Sequence, residues 1–208
     1  MQQNPMPRIS AGSAMQRPFW ASLIEPCPDY DNARVVIVDT QTFFDVLGRG
    51  PKREEMPGLD RWNNELSWLF NSQASEIRIK LNNQIYREML TSGAGPLIAQ
   101  QRAFVDAYRR SGKIILDHGE VPFFATGRMT LYRQVHDALA ASGNLGKGDL
   151  PIAADGITNR LRIISHDVRF LDGLDKALRS RALKAVLKAR SLPDDIGKIF
   201  ISPTRSAL

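Results

Sequence analysis

The sequence predicts an α/β fold built on a mostly parallel sheet. Short β-branched apolar runs recur along the chain, amphipathic stretches of helical period separate them, and the two alternate regularly. At 208 residues the chain suits one domain with extensions rather than two full domains. Its 43% hydrophobic residues are enough for a sizeable core.

Residues 1–33 carry prolines at 5, 7, 18, 26 and 28 among Ser, Gln and Asn, and they read as an N-terminal arm outside the sheet. Phe19, Trp20, Leu23 and Ile24 are its residues able to dock on the domain, which then occupies 34–208. The first strand is 34–38, an apolar β-branched run ending at Asp39, as a buried parallel strand would. A helix follows from Thr42 to Leu47 and stops at Gly48, and 48–58 is a charged loop. Trp62, Leu66 and Leu69 repeat at helical spacing in 59–70. Residues 77–81 alternate as a strand, leading into a helix over 82–90. Residues 96–110 are helical, 113–116 a second buried strand, and 129–141 helical. Residues 149–159 form a helix despite Pro151, since proline is tolerated in a first turn. A strand at 161–164, one long basic helix at 171–189 and a last strand at 198–202 complete the pattern.

A formal charge of +6 favours an anionic partner, nucleic acid first. Cys27 is the only cysteine, which excludes an intrachain disulfide and a cysteine-based zinc site and fits a reducing, cytoplasmic location. No apolar run reaches the roughly 18 residues of a membrane span, and the N-terminus has no secretory apolar region.

Two strands end in carboxylates: 34–38 at Asp39, and 161–164 at Ser165-His166-Asp167. Parallel α/β sheets bind ligands outside the carboxyl ends of their strands. Carboxylates gathered there repel one another unless a cation intervenes, and a hard divalent ion prefers such oxygen ligands. For any one of these residues, capping the helix that follows is the simpler role. The case for a site rests on the set.

The run Val35-Val-Ile-Val-Asp39-Thr-Gln-Thr-Phe-Phe resembles the opening motif of PIN-domain nucleases. A longer stretch, Asp149-Leu-Pro-Ile-Ala-Ala through Ile163-Ile-Ser-His-Asp167-Val-Arg-Phe170, is similar to that family's second motif. Eighteen positions separate Asp149 from Asp167, the spacing used by its VapC-like toxins, and Ile152-Ala-Ala154 and Phe170 fall in register. The stretch from Ile79 to Glu88 is similar to the strand and helix whose Glu adds a further acid. Gln41 and Ser165 replace the usual Asn or Ser and the common Thr, and 48–75 and the helix from 171 are longer than in small toxins.

The resemblance implies a three-layer α/β/α sandwich with one or two Mg²⁺ or Mn²⁺ ions at one end of the sheet. Asp39 would be the main metal ligand beside Asp149, with Asp167 and Glu88 holding a second ion or its waters and Ser165 orienting Asp167 or a water. The implied activity is metal-dependent endoribonuclease hydrolysis of single-stranded or structured RNA. A toxin role brings with it an inhibitor or antitoxin protein and a homodimer, which is common among such toxins. The alternatives are a PIN-like nuclease acting on DNA or flaps, and a non-catalytic PIN-like module that binds RNA or protein. A haloacid-dehalogenase phosphatase would need Asp-x-Asp, which Asp39-Thr-Gln41 lacks.

Arg128, Arg133, Lys147, Arg162 and Arg169 lie in or near segments flanking these motifs and are the candidates for substrate contact. Asp155, about 600° of helical rotation from Asp149, is expected at the solvent or in an interface, and Asp45 on the outer surface of the first helix. Asp117 and Asp172 are candidates for outer positions around the ions. His118, His136 and His166 lack zinc-site spacing. The basic residues between Lys176 and Arg190 read more simply as a solvated face than as a phosphate track.

Overall fold

The computed structural model describes residues 16–47, 59–71, 73–93, 95–116 and 128–190, together with the backbone of 200–201. The sheet consists of β1 (Pro26–Cys27), β2 (Ala33–Val38), β3 (Arg78–Leu81), β4 (Ile114–Leu116), β5 (Arg162–Ile164) and β6 (Phe200–Ile201). Its order is β4-β3-β2-β5-β6, with every neighbouring pair on that path parallel. Val35, Val36, Ile37 and Val38 are each at most 2% exposed. A central parallel strand is covered on both faces, so its sequence is continuously apolar rather than alternating.

Eight α-helices connect the strands among the described residues: α1 (Thr40–Val46), α2 (Leu59–Phe70), α3 (Asn83–Thr91), α4 (Gly95–Arg110), α5 (Arg128–Ser142), α6 (Asp149–Asn159), α7 (Val168–Leu178) and α8 (Arg181–Ala189). They fall into two packing groups. In the first, α1 packs on α2 and α3, and α3 on α4; in the second, α5 packs on α6, α7 and α8. A contact between α3 and α6 joins the groups. No helix among the described residues is long and apolar enough to cross a membrane.

Two expectations are corrected. The end of the expected arm is part of the fold: β1 pairs antiparallel with the start of β2, Pro26 opposite Arg34 and Cys27 opposite Ala33. Trp20 is 3% exposed, donates its indole N–H to Glu65 at 2.9 Å, and meets Trp68 edge-on at 6.0 Å. A buried indole removes roughly 200 Å² from water, about 5 kcal/mol of transfer free energy. That offsets the ordering of about three or four backbone residues, so Trp20 pins the segment although Phe19 beside it is exposed. Residues 1–15 lie outside the described residues, as do 48–58, Asp117 and His118.

The expected long basic helix is two helices. The last turn of α7 tightens through Arg179 N–H to Lys176 O (3.2 Å) and Ser180 N–H to Ala177 O (3.0 Å). Ser180 then adopts extended backbone and its hydroxyl caps α8 by accepting from Leu183 N–H at 3.3 Å. A serine able to bond the backbone locally favours such a restart over helix continuation.

Candidate active site at the carboxyl ends of β2 and β5

After β2 the chain moves outward through β3 to β4, then returns to the other side of β2 for β5 and β6. The reversal lies between β2 and β5, and the space beyond the carboxyl ends of two such strands is the favoured place for a ligand in parallel sheets. Asp39 and Ser165 stand there, each immediately after its strand, and the Asp39 N–H continues the ladder to Ile164 O at 3.2 Å.

Asp39 is 5% exposed. One carboxylate oxygen accepts from Thr42 N–H at 2.7 Å, capping α1, and the other accepts a short hydrogen bond from the Ser165 hydroxyl. Burial removes the water that would solvate its charge and pushes the carboxyl up to about 6, although Ser165, Thr42 and the nearby His166 pull the other way. The Ser165 hydroxyl also accepts from Asp167 N–H at 2.9 Å, so it ties Asp39 to the segment that carries Asp167. Asp167 caps α7, accepting from Arg169 N–H at 2.8 Å and Phe170 N–H at 3.2 Å. Both strand-end aspartates are therefore helix caps, and that role coexists with the cluster.

Glu88 reaches the same region from α3. Its carboxylate accepts from the Thr40 hydroxyl and, at 2.6 Å, from the Gln84 side-chain amide. It lies against Gly148, where an added Cβ would stand 2.8 Å from Glu88 Oε1. Gly148 immediately precedes Asp149, the first residue of α6. The Asp149 carboxyl is raised by burial first, then by the charge of Asp167, and further by that of Glu88, against an opposing hydrogen bond from Gly146. The structure thus brings Asp39, Ser165, Asp167, Glu88 and Asp149 to one end of the sheet.

Among the described residues, no lysine or arginine forms an ion pair with any of the four carboxylates Asp39, Glu88, Asp149 and Asp167. An all-oxygen donor set in which Asp167 and Glu88 repel the charge of Asp149 fits a hard divalent cation chemically. A coordination shell is not preformed, however: among the described residues no three acidic, histidine or cysteine side chains are placed to hold a metal ion.

Two aspartates expected at the surface are buried. Asp45, on α1, accepts from the Trp62 indole N–H at 2.8 Å and lies 2.6 Å from His166 Nδ1. His166 packs edge-on against Trp62 at 5.8 Å. Burial alone would lower the His166 pKa, but Asp45, with Asp39 and Asp167 behind it, brings it above its ordinary value. Asp155 is 0% exposed and pairs with Lys80 of β3 at 2.6 Å. It also accepts from the Asn159 amide at 2.5 Å. The face of α6 turned away from Asp149 meets protein there, because Ile152 to Asn159 are buried throughout. A lysine inside the apolar run of β3 was the available signal, since a buried lysine needs a buried acid. Thr40 and Gln84, which hold Glu88, also escaped the sequence reading.

The candidate substrate-binding cations divide. Lys147 and Arg169 are exposed and lie two residues from Asp149 and Asp167, and Arg133 is exposed on α5. Arg128 and Arg162 are not brought to the carboxylates. Arg162 begins β5, at the end of the strand away from Asp167, and donates to Leu23 O at 3.3 Å. Arg128 pairs with Asp29 at 2.5 Å. Comparison of the chain with protein-family models, with curated proteins and with solved structures gave no match.

Proposed function

We propose that this chain is a metal-dependent nuclease of the PIN type that hydrolyses RNA phosphodiester bonds. The observation that carries the reading is the convergence of Asp39, Glu88, Asp149 and Asp167 at the strand switch, where burial raises Asp39, burial and like charge raise Asp149, and among the described residues no lysine or arginine pairs with any of the four. Two further features support it. The parallel strand order and the two helix groups fit a three-layer α/β/α sandwich, since right-handed crossovers on either side of β2 send helices to opposite faces. The segments that carry the carboxylates are also those that resemble the family's motifs.

In this reading Asp39 and Asp149 hold a Mg²⁺ or Mn²⁺ ion, and Asp167 and Glu88 hold a second ion or its waters. When bound, such an ion lowers the pKa of a water and offsets charge developing on the phosphodiester. Ser165 holds the Asp39 carboxylate in the cluster, and Thr40 and Gln84 do the same for Glu88. Lys147 and Arg169, at the rim, meet phosphates of the substrate. A toxin role with an inhibitor protein belongs to the same reading and is carried by the family resemblance alone.

A second reading has one observation in its favour. The described acidic groups are not arranged as a closed metal shell, as expected of a PIN-like module that binds RNA without cutting it. One experiment separates the two: end-labelled single-stranded RNA and DNA incubated with purified protein in Mn²⁺, Mg²⁺ or EDTA, with Asp39→Asn and Asp149→Asn alongside. The nuclease reading expects cleavage of RNA that needs the metal and falls at least about a hundredfold in each variant. Cleavage surviving in EDTA would sink the metal mechanism. Tight RNA binding without cleavage would establish the module, and cleavage confined to DNA would move the substrate.

A further inference from the structure

A cavity of about 300 Å³ opens at the other end of the sheet, between the 23–29 segment and the amino ends of β2 and β5. That volume falls at the small end of the range for organic ligands. Arg128, Arg160 and Arg162 line it, as do Asp29 and Glu25. Three guanidiniums against two carboxylates leave a local charge of one positive unit (3 − 2). The remaining wall is largely apolar, supplied by Leu23, Ile24, Val35 and Leu161 among others.

Two of the three arginines are anchored before any ligand arrives. Arg128 is held by Asp29 at 2.5 Å and donates to Thr158 O at 3.4 Å and Asn159 Oδ1 at 3.5 Å. Asn159 is itself fixed through its amide to Asp155, and Asp155 to Lys80, so the anchor runs into the core. Arg162 is held at Leu23 O. Arg160 has the left-handed backbone that ends α6, with φ 56°, and its exposed side chain has no ion-pair partner among the described residues. Anchored guanidiniums lose little freedom on binding and present their N–H forks to planar or tetrahedral oxyanions.

We propose that this cavity is a binding site for a small organic anion, a carboxylate or phosphate ester whose apolar body lies on Leu23, Pro26 and Pro28 while Arg160 and Arg162 take its charge. The site is separate from the carboxylate cluster and does not depend on the nuclease reading. None of the four clustered carboxylates lines the cavity. It gives Arg162 a role that its place at the opposite end of β5 from Asp167 denies it.

Titration calorimetry on the full chain, in buffer freed of divalent metal on a chelating resin, tests it with phenyl phosphate, benzoate, inorganic phosphate and phenol. The expected result is one-to-one binding of phenyl phosphate or benzoate with a Kd below about 1 mM. Inorganic phosphate and phenol should bind at least about tenfold more weakly, because each lacks half of the recognised structure. Whichever organic anion binds better identifies the oxyanion. Arg160→Ala and Arg162→Gln should each weaken binding about tenfold or more, and Asp39→Asn should leave it unchanged. Arg160 is exposed, so its variant folds even if loss of the Leu23 contact loosens the Arg162 variant. Failure of both organic anions to bind overturns the proposal, and so does binding that Arg160→Ala leaves intact.

Discussion

Asp39 and Asp155 are both buried aspartates on elements flanking the central strand, yet they are completed in opposite ways. Asp155 has an ammonium from its own chain at 2.6 Å and the Asn159 amide at 2.5 Å. Asp39 has only neutral donors, Ser165 and the Thr42 N–H, and its carboxyl is pushed up to about 6. A carboxylate paired from within serves the fold, although here both donors meet Oδ1 and the buried Oδ2 has no hydrogen-bond partner among the described residues. One that has no lysine or arginine partner among the described residues, near an Asp149 that is raised by burial and by the charges of Asp167 and Glu88, is the kind of group the proposed metal ion would answer. The contrast separates structural from functional acid more sharply than burial does, since both residues are at most 5% exposed.

The largest effect expected from breaking this contrast is on the structural side. Lys80→Ala leaves Asp155 buried without its cation and should cost about 3–5 kcal/mol in urea denaturation. The double variant Lys80→Met with Asp155→Leu should recover most of that loss, because replacing a buried pair by apolar groups is often neutral. If the single variant costs less than about 1 kcal/mol, the pair does not have the structural role assigned to it.

Asp39 should behave in the opposite sense. Its folded pKa is raised, from 3.8 to about 6, so the folded chain holds the proton more tightly than the unfolded one. The stability this contributes is fully present below the unfolded value and is lost as pH rises through the folded value. Wild-type protein without divalent ions should lose on the order of 3 kcal/mol from this residue between roughly pH 4 and pH 7. Asp39→Asn should flatten that part of the pH–stability curve and raise stability at neutral pH. Saturating Mn²⁺ should likewise raise the Tm of the wild type at pH 7 and leave the variant unmoved. A pH–stability curve that keeps its slope in Asp39→Asn would assign the titration to another group.

This opposition was only half legible in the sequence. Asp39 and Asp167 could be found because a strand run and its terminal acid are local patterns, and α6 matched its expected bounds of 149–159 because its pattern is local too. The Lys80–Asp155 pair was not found, because it joins residues 75 positions apart and a helical wheel does not say what the opposite face meets. Asp45 was misplaced for the same reason: Trp62 and His166 cover it from other elements. Arg162 was grouped with the site by sequence proximity, although strand polarity argued otherwise. It opens β5 while Asp167 follows that strand, several residues apart at about 3.3 Å each.

A smaller change addresses how Asp39 is held. Ser165→Ala removes the hydroxyl that donates to Asp39 and accepts from Asp167 N–H. Losing a donor to the ionised form raises the Asp39 pKa further above 6, which carbon-detected NMR of the carboxyl would follow. Folding should lose about 1 kcal/mol, and cleavage should fall about tenfold with its pH profile displaced toward higher pH. An unmoved Asp39 titration would mean that the hydroxyl is not oriented toward the carboxylate in solution.

The smallest expected effect on stability is the most selective test of the carboxylate cluster. At Gly148 the backbone is ordinary right-handed helix, with φ −71° and ψ −34°, so alanine meets no strain there. Its Cβ would nevertheless stand 2.8 Å from Glu88 Oε1, and what must yield is the far end of a side chain rather than backbone. The Glu88 carboxylate has to leave the position where Thr40 and Gln84 hold it. Gly148→Ala should therefore change the Tm by no more than a few degrees, while a Glu88 that takes part in the site makes the Mn²⁺ needed for half-maximal cleavage rise about tenfold. The same substitution with Mn²⁺ dependence unchanged would remove Glu88 from the metal-holding set and leave Asp39, Asp149 and Asp167 to act alone. Glu88 is the member with the weakest sequence signal, so a methyl group placed against it asks the question with all four carboxylates still present in the chain.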